Sequence, residues 1–68
     1  MLIIPNVEID EHEIQFVYAY DSEHINKLKI AAYVTDGRKF TFDIDNFHLL
    51  TKCAIIDLCY KKVEACLK

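Results

Sequence analysis

The side chains in this 68-residue chain best suited to hold a transition metal or act as a nucleophile are three cysteines and three histidines. Cys53, Cys59 and Cys66 follow one another six and seven residues apart in a stretch without Gly or Pro. On a helix those spacings are roughly 9 and 10.5 Å along the axis. A zinc ion lies about 2.3 Å from each thiolate, so one ion cannot reach two of them. A disulfide bridges Cα atoms no more than about 7 Å apart, so no pair can close within the helix. The expected state is therefore free thiols, with Cys59 and Cys66 buried as small hydrophobes and Cys53 partly exposed. His12, His24 and His48 form no His-x-x-x-His pair, and no Cys-x-x-Cys occurs. A thiol nucleophile needs a base within hydrogen-bond reach, and His48 lies three helical turns from the nearer cysteine on its side. Ser22, the only serine, sits among turn formers. The carboxylate runs Glu8 to Glu13 and Asp43 to Asp45 do not follow the spacing of a calcium loop. Gly37 is the only glycine, which excludes a Gly-rich phosphate cradle. No catalytic residue, metal site or cofactor is expected, and a thiol or metal enzyme is the weakest of the functional readings.

The elements that would position these groups are strands followed by a helix. Glu13 to Tyr20 places Ile14, Phe16, Tyr18 and Tyr20 on one face of an extended segment rich in β-branched and aromatic residues. Leu28, Ile30, Ala32 and Val34 alternate in the same way, as do Phe40, Phe42 and Ile44. Between these two runs stands Thr35-Asp36-Gly37-Arg38, and Asp-Gly between alternating segments signals a hairpin. A two-residue loop would set Ile30, Ala32 and Val34 against Asp43, Thr41 and Lys39. A three-residue loop ending on a left-handed Gly37 instead pairs Ala32 with Phe40, Ile30 with Phe42, Leu28 with Ile44 and Lys29 with Asp43. Because a slip of one residue would turn the apolar set to solvent, the three-residue loop is expected.

After Ile44 the period changes to helical. Asp45 suits an N-cap, and residues 46 to 67 contain no Gly or Pro, which predicts one long helix. Leu49, Ile55, Ile56, Cys59, Tyr60, Val63, Cys66 and Leu67 form a wide apolar stripe that should cover the sheet. Phe47, Ala54, Leu58 and Ala65 recur at intervals of seven, four and seven as a second, narrower stripe that one sheet cannot easily cover. Residues 1 to 10, apolar around Pro5, form either an edge strand, a cover for that second stripe, or an arm exchanged with another copy. The expected fold is thus one α+β domain spanning residues 1–68. It comprises a small antiparallel meander of three to four strands, within residues 13–44, packed against one C-terminal helix over 46–67. Phe16, Tyr18, Ile30, Phe40, Phe42, Leu49, Ile56 and Val63 should carry most of the burial energy.

Composition narrows the function. The chain is 53% apolar and 28% charged with one Pro, unlike a disordered segment. No apolar run approaches the length of a membrane span. No basic residue precedes the first apolar stretch, so a signal peptide is not expected and the cytoplasm is. The first 25 residues hold six acids, Glu8, Asp10, Glu11, Glu13, Asp21 and Glu23, and no Lys or Arg; the remainder holds eight basic residues against five acids. With no basic cluster and an overall charge of −3, direct nucleic-acid binding is disfavoured. An acidic segment suits a basic protein surface, or a nucleic-acid groove whose phosphates it imitates.

The reading that follows is a non-catalytic binding protein that regulates or inhibits a larger macromolecular partner. The expected contacts are Glu8, Asp10, Glu11 and Glu13 in the acidic region and Phe47, Ala54, Leu58 and Ala65 on the helix. By size and composition this is a format found among accessory proteins of mobile elements such as phages, including inhibitors of nucleases and CRISPR effectors. The alternative is a structural homodimer or assembly module joined through the second helical stripe.

Overall fold

The computed structural model describes residues 2–67. Four strands, β1 (Val7–Ile9), β2 (His12–Tyr20), β3 (Lys27–Val34) and β4 (Lys39–Asp45), form one antiparallel sheet in the order β1-β2-β3-β4. A 3-10 turn at Phe47–Leu49 and a helix, α1 (Lys52–Leu67), follow. The small α+β meander with a single C-terminal helix expected from the sequence is thus the observed architecture, with four strands.

Alternation decides which face of the sheet is covered. Ile14 and Phe16 on β2, Leu28, Ile30, Ala32 and Val34 on β3, and Ile44 on β4 all point to one side, where they are buried with Ile55, Cys59 and Val63 of α1. Ile9 on β1 joins them, and Leu2, Ile4 and Val7 pack against the same core. Each large aliphatic side chain removed from water there contributes roughly 1.5–3 kcal/mol. The opposite face carries Glu13, Gln15, Val17 and Ala19 on β2, and Lys29, Ala31 and Tyr33 on β3. This face has no second layer among the described residues.

The β3–β4 hairpin has the expected register: Leu28 pairs with Ile44, Lys29 with Asp43, Ile30 with Phe42 and Ala32 with Phe40. Gly37 takes φ 99°. Its N–H donates to the Val34 carbonyl at 3.0 Å while the Val34 N–H donates to the Arg38 carbonyl at 2.9 Å. Asp36 secures the loop by accepting the Arg38 N–H at 3.0 Å and the Arg38 Nε–H at 2.6 Å. At the other end of the sheet, Asp21 Oδ1 accepts the Glu23 and His24 N–H groups at 2.9 and 3.3 Å, closing the β2–β3 turn.

Two expectations about the helix are corrected. It begins at Lys52 rather than Asn46, and Asp45 is the last residue of β4 rather than the cap. Asn46 adopts the left-handed conformation at φ 53°, ψ 39°, which Asn tolerates better than most residues. It is held there by its N–H to the Asn26 carbonyl at 2.6 Å and by Asn26 Nδ2 donating to its side-chain oxygen at 3.3 Å. Leu50 is extended at φ −104°, ψ 149°, which separates the 3-10 turn from α1. Thr51 is the cap, its Oγ1 accepting the Ala54 N–H at 3.1 Å.

The wide helical stripe is also narrower than expected. The buried positions Ile55, Cys59 and Val63, continued by the half-buried Leu67, form a single i, i+4 ridge. Four residues turn the helix by 400°, so this ridge drifts about 40° at each step and runs obliquely to the axis. By the last turn it has moved away from Cys66, which is exposed instead of buried. Leu49 lies outside the helix and is 75% exposed, and Tyr60 is exposed at the ridge margin. Phe16, Ile30 and Val63 are buried as expected, whereas Tyr18, Phe40 and Phe42 are half-buried and pack against the core from its edge.

Candidate partner-binding surface

The acidic residues meet on one hairpin. Asp10 and Glu11 form the two-residue loop between β1 and β2, both with positive φ, 52° and 68°. That is the geometry of a type I′ turn, whose twist matches the strands it joins. The pairing that follows sets Ile9 beside His12, Glu8 beside Glu13 and Val7 beside Ile14. Ile9, His12, Val7 and Ile14 therefore lie on the core side, while Glu8 and Glu13 lie side by side on the open face with Asp10 and Glu11 at the tip. All four carboxylates are exposed.

Like charges directly opposite one another weaken a strand pair. Asn6 Nδ2 donates to Glu13 Oε1 at 3.1 Å, which holds one of the two carboxylates. Among the described residues, none of Glu8, Asp10, Glu11 and Glu13 has an ion-pair partner, whereas Asp36, Asp45 and Asp57 each have one and Asp21 has both His24 and Lys29. The Glu23 N–H beside Asp21 and the Arg38 N–H beside Asp36 hold these two carboxyls below their ordinary value. Lys29 adds to the effect at Asp21, and the Arg38 side chain and His12 add to it at Asp36.

The hydrophobic half of the expected surface is not one stripe. Phe47 belongs to the 3-10 turn, where its ring lies 5.6 Å from that of Tyr20 and 6.0 Å from that of His48. Ala54 and Leu58 are half-buried, and Leu58 packs against the core. Ala65 is exposed. The extended Leu50 breaks the helical phase between Phe47 and Ala54, so the intervals of seven, four and seven do not trace a continuous line. The structure brings the four carboxylates together, keeps Ala54, Leu58 and Ala65 within about 40° of one another on α1, and sets Phe47 apart from them in the 3-10 turn.

The cysteines occupy three separate environments. Cys59 is fully buried, and burial pushes its thiol up to about 11. Cys53 and Cys66 are exposed. Among the described residues, no three His, Cys, Asp or Glu side chains gather closely enough to share an ion.

No protein-family model, curated protein or solved structure matches this chain. Its function must therefore be read from its own surfaces.

Two of those surfaces are missing from the sequence reading. The open face of the sheet holds a shallow depression of about 450 Å³ lined by Val17, Ala19, Lys29, Ala31, Thr41 and Asp43 among others. The signal was the run of small residues at alternate positions on neighbouring strands, Ala19, Ala31 and Thr41. At the end of the sheet away from the acidic turn, Tyr20, Ile25 and Leu49 are exposed near the linked Asn26 and Asn46. No helix among the described residues is long and apolar enough to cross a membrane.

Proposed function

We propose that this chain is a non-catalytic binding protein that regulates or inhibits a larger protein through the acidic β1–β2 hairpin. One observation carries the reading: Glu8, Asp10, Glu11 and Glu13 are exposed together on one sheet corner, two of them in direct cross-strand opposition, with no ion-pair partner among the described residues. Such an arrangement costs the isolated fold stability, and a cationic partner removes that cost. The partner it fits is a protein with a basic groove of the kind that binds nucleic acid, which the carboxylates would occupy in place of phosphates. Inhibitors of nucleases and CRISPR effectors carried by mobile elements are the class with that chemistry. Three free thiols, one of them buried, suit the reducing cytoplasm.

Affinity capture from lysate of the source organism at low and high salt tests this, with the variant Glu8→Gln/Asp10→Asn/Glu11→Gln/Glu13→Gln as control. The expected result is a larger protein retained at a fixed ratio at low salt and lost at high salt, and not retained by the variant. Equal retention by the variant would refute the role of the hairpin.

A further inference from the structure

The two edges of the sheet differ. β1 has three residues, follows Pro5 and presents Glu8, features that discourage another strand from adding there. β4 has seven residues, Lys39 to Asp45, with no Pro, Gly or bulge, and no described strand lies on its outer side. Which backbone groups it leaves unpaired follows from the ladder. The Val34 N–H bonds the Arg38 carbonyl, and the Thr35 N–H bonds the Glu13 carbonyl. Hydrogen-bonded and non-bonded pairs alternate along an antiparallel ladder. Phe40, Phe42 and Ile44 therefore turn their N–H and C=O groups toward β3, while Lys39, Thr41, Asp43 and Asp45 turn theirs outward.

We infer that β4 is a self-complementary edge that pairs antiparallel with β4 of a second copy about a two-fold axis at Phe42. In this register Lys39 lies opposite Asp45 of the other copy, Thr41 opposite its Asp43, Phe40 opposite its Ile44, and Phe42 opposite its own counterpart. Every outward-facing residue meets an outward-facing residue, as the hydrogen-bond alternation requires. Charge and strand length together select this register. A shift by one pairing step toward the C-terminal end sets Asp43 against itself. The shift toward the N-terminal end also forms two Lys39–Asp43 pairs but aligns only residues 39–43 of the seven in β4. The symmetric register aligns all seven residues and forms two Lys39–Asp45 pairs on the open face. Asp45 already lies 3.8 Å from Lys27 across the β3–β4 ladder, so the incoming Lys39 adds a second cation on its other side. The half-buried Phe40 and Phe42 become covered on the core side. Both copies of α1 then lie on the same face of a continuous sheet of twice four strands, and the acidic hairpins stand at its two far ends. This pairing is independent of the partner proposed for the hairpin.

Sedimentation equilibrium under reducing conditions, from micromolar to millimolar chain, reads the assembly directly, since reductant removes any dimer cross-linked through the exposed Cys53 or Cys66. The expected result is a shift from 8.0 kDa to twice that mass. Thr41→Pro removes a central outward N–H at a position where an edge strand accepts proline, and should leave a folded monomer. Lys39→Asp puts like charges at both ends of the register and should weaken the dimer about tenfold or more, and adding Asp45→Lys should restore it. Far-UV circular dichroism confirms the fold of each variant. A chain that stays at 8.0 kDa throughout, or a dimer indifferent to both Thr41→Pro and the charge reversal, overturns the inference.

Discussion

The acidic turn stores backbone strain that a single substitution releases. Glu11 stands at φ 68°, a conformation in which an L-residue crowds its Cβ against the following carbonyl at a cost of roughly 1–2 kcal/mol. Glycine avoids that cost but loses about 0.5–1 kcal/mol more chain entropy on ordering. Glu11→Gly also puts an Asp-Gly dipeptide, a preferred type I′ pair, at the two loop positions. The net gain centres on about 0.75 kcal/mol, which raises the midpoint of a domain this size by about 3–6 °C. Thermal melts and urea titrations of the wild type, Glu11→Gly and Glu11→Gln measure it. Glutamine removes the same charge but keeps the Cβ, so it should recover less than half the gain. Gly37→Ala is the opposite control. A Cβ at Gly37 would meet no atom within 4 Å, so its cost, about 1–2 kcal/mol, comes only from φ 99°. If Glu11→Gln matches Glu11→Gly, the turn carries no backbone strain and relief of charge repulsion alone accounts for the gain; if neither variant raises the midpoint, neither strain nor repulsion acts at Glu11.

Further outcomes follow from the caps, thiols and carboxyls. Thr51→Ala removes the hydroxyl that accepts the Ala54 N–H and should cost about 1 kcal/mol, whereas Asp45→Ala should cost less; equilibrium unfolding of both variants locates the helix start. Native protein treated with a chromogenic disulfide should release two fast equivalents, from Cys53 and Cys66, and a third from Cys59 only on unfolding. Asp21 and Asp36 titrate lower in the folded chain than their ordinary value of 3.8. Their contribution is complete above that value and is lost as pH falls through the lower folded values. Asp36→Asn should therefore be less stable than wild type at neutral pH and converge with it in acid, as pH-dependent urea midpoints would show.

The β3–β4 hairpin is legible in the sequence because Asp36-Gly37 fixes the loop and only one register keeps Ile30, Ala32, Phe40 and Phe42 on the same side. The β1–β2 hairpin is not, because its turn places Glu11 where Gly is normally found after Asp10, so residues 7–9 lack the usual punctuation. The gathering of the four carboxylates depends on that turn, and charge counting alone finds the acids but not their opposition. The helix start is hidden for a different reason. Asp45 and Thr51 are both competent caps, and the choice between them is made by Asn46 in the left-handed region, held by Asn26 from another loop. A stripe drawn parallel to the helix axis misplaces Cys66 because it ignores the drift of the Ile55, Cys59, Val63 ridge. The edge available on β4 depends on strand order, which local patterning does not contain.

The most direct test of the acidic hairpin as the partner contact is the salt dependence of affinity for the captured protein. Kd should be measured across a range of ionic strengths for the wild type and for the variant with Glu8, Asp10, Glu11 and Glu13 all neutralised. The hairpin reading predicts steep weakening with salt for the wild type, and for the variant a weaker affinity with a nearly flat dependence. Equal slopes and equal affinities would contradict it and move the contact to another surface of the molecule.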